Sequence, residues 1–429
     1  MNSIFNLSEI IEKNHKKFQE DPNHYNKKDI LNYFLKHNLR YYGNYEQGTQ
    51  KWLVKRQKTI GGSEFAFITG DHASRRHTKN GLIDFVKSKI FSSNITGVAL
   101  FWGNLFEDAI CNFIENKYKT KIIVPGSIKG IHRTSYSPDG IAVIKFDENH
   151  NLIPSDSDKY DIEKICLFEF KCPYSRCPEG KVPKYYKPQI LSGLDNLFIT
   201  DLVVFAEGIF RICNTFQIDN DNYYNFYFHG KSKYRTHKNS KPITCGIIGV
   251  YENINNDFRN NYFDENNFQS DDEDIDDFDD IDDFENFNIY SEYVKPIYDL
   301  LSDDIIDFGD ELNFYLLYRY QQYQKVNFYY NFESPYKDIK TVDDIANFTD
   351  HFQNKFKDKR IIGIIPWKLY RIDIFNIWKS KLTNNYISPH KDKINSVMNI
   401  VDELLEYEVD ERYEYIREVV NNNIPEFIK

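Results

Sequence analysis

The stretch Leu167-Phe168-Glu169-Phe170-Lys171-Cys172-Pro173 constrains the fold more tightly than any other part of this chain. Its large apolar residues predict a buried strand, yet two opposite charges stand inside it two positions apart. Side chains at i and i+2 share one face of a strand. Glu169 and Lys171 therefore belong on one side, Phe168 and Phe170 on the other. An unpaired charge is strongly disfavoured in an apolar interior, so the charged face must supply partners.

Two further carboxylates can reach it. Asp139 opens the strand predicted over SPDGIAVIKF, and Glu169 lies in the middle of the next strand. If those strands are neighbours, the two carboxylates converge at the sheet edge. Glu107 shares a helical face with Ile110, Cys111 and Ile114, at spacings of three, four and seven. A carboxylate on an apolar helical stripe needs a partner. Three convergent carboxylates repel one another unless a divalent cation sits among them, and hard oxygen ligands favour Mg²⁺ or Mn²⁺. Lys171 adds a positive charge beside that ion. The face reads as a metal site.

The surrounding pattern predicts helices in NLSEIIEKNHKKF and KKDILNYFLKHNL, then a short helix, a Gly-Gly turn and a second helix starting near Ser63. ALFWGNLFEDAICNFIENKY has helical periodicity, and VPKYYKPQILSGLDNLF opens with prolines and continues as a helix. DLVVFAEGIFRIC reads as one strand, or as two in a hairpin. Helix, strand, strand, helix, strand fits a mixed α/β sheet with helices packed on it.

With 429 residues and 41% hydrophobic content the chain can bury a large core. It has no apolar run near the ~18 residues of a membrane span. Its first residues carry acidic groups where a signal peptide needs an apolar stretch, so a soluble, intracellular protein is expected. The six cysteines include no C-x-x-C pair; they are read as reduced thiols rather than zinc ligands or disulfides. The net charge of -11 conceals its distribution. Residues 271 to 285 hold eleven acidic groups and no basic one, and without them 54 acidic residues face 54 basic ones. That tract reads as a solvated, disordered insertion, with an autoinhibitory DNA mimic or docking segment as the sharper alternative. Local basic patches elsewhere are compatible with a nucleic-acid partner.

The motifs RQKTIGGSE, WGNLFEDA, SPDG, FEFKCP and YYKPQ follow one another in an order that resembles the YqaJ-type viral recombinases. That family includes the lambda-type exonucleases of phages and large DNA viruses, within the PD-(D/E)XK nucleases. The resemblance covers about residues 46 to 213, with GIIPWKLY at 363 to 370 as a further match. It implies a restriction-endonuclease-like α/β fold: a mixed sheet flanked by helices, with extra N- and C-terminal helical elements. The corresponding division is an N-terminal helical extension (1–45), a nuclease core (46–255), the acidic insertion (256–290) and an aromatic-rich, largely helical C-terminal part completing the nuclease domain (291–429).

The resemblance also implies roles. Asp139, Glu169 and the Phe170 carbonyl would ligate the metals, and Glu107 would ligate a metal or orient its water. Lys171 would position or help deprotonate the attacking water, and Gln189 would hold Lys171 or the nucleophile. Two Mg²⁺ ions, with Mn²⁺ as a substitute, would serve an in-line displacement at phosphorus. Arg56 and Ser63 resemble a pocket for a 5′-terminal phosphate. Arg75 and Arg76, in a basic loop, and Tyr186, among lysines 181, 184 and 187, suit a phosphate backbone with stacked bases. The stretch HGKSKYRTHKNSK reads as a flexible basic loop, and the aromatics of YLLYRYQQYQKVNFYY as core.

The expected activity is thus a Mg²⁺-dependent DNA exonuclease, 5′→3′ on duplex ends, in viral recombination, replication and repair. Alternatives are a structure-specific endonuclease or RNA-degrading relative, and, in another class, a non-catalytic DNA-binding recombination scaffold. Expected partners are double-stranded DNA ends, a single-strand annealing protein and further copies of the chain, as in the family's trimers. The expected location is the host cytoplasm or the virion.

Overall fold

A computed structural model describes residues 26–46, 49–71, 77–91, 97–158, 162–176, 178–219, 241–253, 305–323, 325–380 and 385–428. The helix expected over 6–18, Arg75 and Arg76, Cys177, most of the basic stretch at 229–241 and the acidic tract at 271–285 lie outside the described residues.

The described chain builds a mixed α/β sheet flanked by helices, the class expected from the sequence. Its strands are β3 (Gly140–Phe146), β4 (Leu152–Ile153), β5 (Ile162–Lys171), β6 (Leu202–Ile212), β7 (Thr244–Glu252), β8 (Ile306–Asp307), β9 (Val326–Tyr330) and β10 (Arg360–Trp378). They run in the order β4-β3-β5-β6-β10-β7-β9, with β8 on β10. A separate ribbon pairs β1 (Ile128–Lys129) with β2 (Ser135–Tyr136). β3 and β5 are antiparallel neighbours, with Gly140 opposite Phe168. β5 and β6 are parallel, with Glu169 opposite Phe205 and Lys171 opposite Glu207. DLVVFAEGIFRIC therefore contains one strand rather than a hairpin. β6 is buried at every position, as its nearly continuous apolar run requires for a strand covered on both faces.

The alternation along β5 assigns its two faces to different helices. Phe168 and Phe170 pack with Trp102, Leu105, Phe106 and Ile110 of α5 (Val98–Tyr118) and with Phe314 and Leu317 of α7 (Glu311–Tyr323). Ile165 and Leu167 pack with Leu31 and Phe34 of α1 (Lys27–Tyr41) and with Ile190 and Leu194 of α6 (Lys187–Asn196). Each such side chain contributes roughly 1.5–3 kcal/mol on full burial. The helix over 27–41 is thus part of the sheet's cover. The aromatics of YLLYRYQQYQKVNFYY do enter cores: Tyr318, Tyr320 and Tyr330 lie with Phe314, and Tyr329 packs with Phe348 and Phe352 of α8 (Val342–Lys355).

A second helical layer joins α3 (Phe65–Thr69) and α4 (Lys79–Ile90) to α9 (Lys391–Leu405) and α10 (Val409–Asn422) around one apolar cluster. The C-terminal part, over its described residues, combines α7 to α10 with strands. It supplies three strands, among them β10, which pairs with β7 over its first half and β6 over its second. Among the described residues no helix is long and apolar enough to cross a membrane. Their five cysteines are free thiols.

Candidate active site

The charged face of β5 meets the N-terminal end of α6 and the β2 ribbon. There Glu169, 0% exposed, is held from three directions. Gln189 Nε2 donates to its Oε1 at 2.5 Å, Tyr136 Oη donates to its Oε2 at 2.8 Å, and the Lys171 ammonium also bonds to Oε1. The apolar residues beside it on the strand force the carboxylate inward, and these donors are what make its burial tolerable.

Lys171 is the hub. Its Nζ donates to the Phe170 carbonyl at 2.9 Å, lies 3.6 Å from Asp139 Oδ2 and stands 5.4 Å from the centroid of the Tyr186 ring. Burial alone would lower the Lys171 pKa, but Glu169 and Asp139 raise it well above the ordinary value. The side chain stays charged. Asp139, just ahead of β3, accepts the Phe170 backbone N–H at 2.7 Å. Burial first, then the charge of Glu169, raise its carboxyl to about 7 against the pull of Lys171. Glu107 comes from α5, on the far face of the sheet. Burial, Asp139 and Glu169 push it up as well. Four of the predicted residues therefore share one electrostatic neighbourhood at the end of β5.

Two features of the arrangement bear on the expected roles. Gln189, expected to hold Lys171 or the nucleophile, donates here to Glu169. Among the described residues no three acidic, cysteine or histidine side chains close into a ready-made metal cage; the Lys171 ammonium stands among Glu169, Asp139 and the Phe170 carbonyl. The donor set still fits a hard divalent cation: it is all oxygen, and burial and mutual repulsion hold Glu107 and Asp139 above their ordinary range. A further positive charge would let these carboxylates ionise together.

A second charged group lies nearby. Arg56, at the end of α2 (Gln50–Gln57), places Nε and Nη2 on Glu64 Oε1 at 3.1 and 2.9 Å. Buried Lys89 bonds to the other Glu64 oxygen and to the carbonyls of Arg56 and Thr59 at 3.0 and 2.7 Å. Glu64 Oε2 also accepts the Gly61 N–H at 2.7 Å, closing the turn. Ser63 is exposed on the 3₁₀ turn Gly62–Glu64, one residue beyond the first position after the Gly61 cap. The structure therefore puts Arg56 beside the Ser63 turn, gripping a carboxylate of the chain itself.

The sequence reading missed Tyr136, Glu64 and Lys89. Tyr136 is almost fully buried. Burial, then Glu169 and Asp139, raise its hydroxyl well above the ordinary range, so it remains a donor. Its place three residues before Asp139 was the available signal.

Comparison with known proteins gives the same region. Residues 51–201 match the family model described as the YqaJ-like viral recombinase domain, and Glu107, Asp139, Glu169, Lys171 and Gln189 all fall inside that match. Over 223 residues the chain is 27% identical to a protein of African swine fever virus (strain Badajoz 1971 Vero-adapted), covering 48% of this chain and 60% of that protein. The same viral protein from the Pretoriuskop tick isolate is 26% identical over 219 residues, with the same coverage. The chain thus spans 60% of the length of these viral relatives. Among solved structures, an alkaline exonuclease (LHK-Exo) from Laribacter hongkongensis aligns at 18% identity with a TM-score of 0.27, over 37% of this chain and 73% of that one.

Proposed function

We propose that this chain, whose residues 51–201 match the YqaJ-like viral recombinase domain, hydrolyses DNA phosphodiesters with Mg²⁺, proceeding 5′→3′ from duplex ends in viral recombination, replication and repair. The observation that carries the reading is the placement of Lys171 at a strand end: one ammonium touches Glu169 and the Phe170 carbonyl and lies 3.6 Å from Asp139, and its charge acts on Glu107.

Asp139, Glu169 and the Phe170 carbonyl would hold the cation, with Glu107 completing the set. When bound, the metal polarises the phosphoryl group and activates the attacking water. The chain's own part is orientation. The Phe170 N–H fixes Asp139, Gln189 and Tyr136 fix Glu169, and the buried surroundings strengthen each of these interactions. Lys171 offsets the negative charge that builds on the phosphorus oxygens as the nucleophile arrives in line. The Tyr186 ring, its centroid 5.4 Å from the ammonium, would offer a stacking surface to a base. The Arg56–Ser63 turn is assigned to the 5′-terminal phosphate.

The test is digestion of linear and covalently closed duplex DNA with end-labelled products, with and without Mg²⁺. Stepwise release of 5′ nucleotides from linear DNA, with closed circles spared, is the expected result. Efficient cutting of closed circles would replace the exonuclease with a structure-specific endonuclease. Absence of any Mg²⁺-dependent cleavage would leave the DNA-binding scaffold.

A further inference from the structure

We infer that Tyr136 is a positioning residue, which sets the Glu169 carboxylate and ties it mechanically to the Gly61–Gly62–Ser63 turn. This rests on the reading of Glu169 as a metal ligand. Three observations carry it. The Tyr136 hydroxyl donates to Glu169 Oε2 at 2.8 Å, and it is the one donor to that oxygen among the described residues. The ring lies against two glycines from elements far apart in sequence. A Cβ on Gly62 would fall 2.4 Å from Tyr136 Cε2, and one on Gly193 of α6 would fall 2.6 Å from Tyr136 Cζ. Both contacts are shorter than any carbon pair tolerates, so the glycines are the space the ring occupies. Finally, the same Gly62 position lies 3.5 Å from Gln189 Cγ. The turn therefore abuts two of the three residues that donate to Glu169.

A hydroxyl held on a rigid ring is a better orienting donor than one on a freely rotating chain, because no further freedom is lost when it bonds. Since the turn forms one wall of the ring's slot, displacing the turn displaces the hydroxyl. The geometry thus joins the site assigned to the strand terminus to the site assigned to the chemistry through one side chain. Partners that orient a metal ligand in this way, when removed, reduce metal affinity or activity by about 10- to 100-fold.

Tyr136→Phe keeps the ring in its slot and deletes only the hydroxyl, so the fold should survive, with an unchanged circular dichroism spectrum. Two readouts separate positioning from packing: calorimetric binding of Mn²⁺ alone to the DNA-free protein, and the split between kcat and KM. The expected result is Mn²⁺ affinity and kcat each lower by about tenfold or more, with KM for DNA near wild type. Gly62→Ala, which pushes the ring, should lower kcat when made alone and have a smaller effect when combined with Tyr136→Phe. Wild-type Mn²⁺ affinity and kcat in Tyr136→Phe, alongside an inactive Glu169→Gln, would overturn the inference and leave the nuclease reading intact. A Glu169→Gln variant that cleaves at the wild-type rate would overturn the nuclease reading itself.

Discussion

The Phe170 N–H donates to Asp139 Oδ2 at 2.7 Å, so the backbone of one strand fixes the carboxylate that opens its neighbour. Asp139 and the Glu169–Lys171 segment consequently move as one unit. Asp139→Asn keeps an acceptor for that N–H and removes only the charge. Glu169→Gln likewise keeps the side-chain shape. Both variants should melt within a few degrees of wild type, yet lose about 100-fold or more in kcat, the scale reached when positioned catalytic groups are removed. Lys171→Ala should match them in activity. Single-turnover cleavage of a labelled linear duplex in saturating Mg²⁺ is the measurement.

The Arg56 turn gives a substrate-end prediction. Arg56 grips Glu64 through Nε and Nη2 while Lys89 bonds the other Glu64 oxygen, so an anion at Ser63 would share the Arg56 guanidinium with Glu64. Duplex bearing a 5′-phosphate should be degraded faster than the same duplex with a 5′-hydroxyl, by about tenfold, since a charge-assisted hydrogen bond is worth roughly 1.5–3 kcal/mol. Arg56→Ala should erase that difference, retain Mg²⁺-dependent cleavage and remain folded, because Lys89 and the Gly61 N–H still serve Glu64. Equal wild-type rates on the two substrates would refute the assignment.

Glu64 also sets an acid limit. Burial would raise its carboxyl, but Lys89 and Arg56 outweigh that and hold it at about 2 against an ordinary 4.5. A depressed folded-state pKa contributes stability that is fully present above the unfolded value and is lost as pH falls through the folded one. The window is therefore from about 4.5 down to about 2, and the shift corresponds to about 3 kcal/mol at neutral pH. Chemical denaturation across that range should show Glu64→Gln markedly less stable than wild type at pH 7, the gap closing toward pH 2. A constant gap would contradict the coupling.

Deleting residues 264 to 286, which contain the eleven acidic groups of the tract, should leave kcat unchanged and tighten DNA binding at low salt, because repulsion of phosphate is removed. The gain should fade as ionic strength rises. Fluorescence anisotropy with a labelled duplex over a salt series checks it. Loss of folding in the deletion protein would show that the stretch belongs to the domain.

The charged face of β5 was legible because a strand's two-residue period is local: residues 168 to 171 are enough to send Glu169 and Lys171 one way and the two phenylalanines the other. The helical stripe of Glu107 was legible for the same reason. What Gln189 touches was not, since it depends on how α6 settles against β5, which no local pattern records. Tyr136 escaped because its slot is made by Gly62 and Gly193, glycines that each look like ordinary turn or helix punctuation until the fold brings them together. β10 was read only as GIIPWKLY. Beyond it, Arg371 and Asp373 pair with each other at 2.6 Å within the strand, and these charges at alternate positions break the apolar signal that marks a central strand.

The nineteen-residue β10 lies between β6 and β7 and hydrogen-bonds to both. During synthesis β6 must therefore wait, one edge unpaired, until residue 378 has left the ribosome. Such an edge is a template for pairing with other chains, and joining segments so distant in sequence is slow. A nascent or truncated chain that stops short of residue 360 would present a largely apolar strand, made for burial, with one neighbour missing. Expression of residues 26–219, which include β6 but not β10, is accordingly expected to yield aggregates. Supplying the missing segment in trans, as a separate 305–428 fragment, is the direct way to see whether the waiting strand can still be closed.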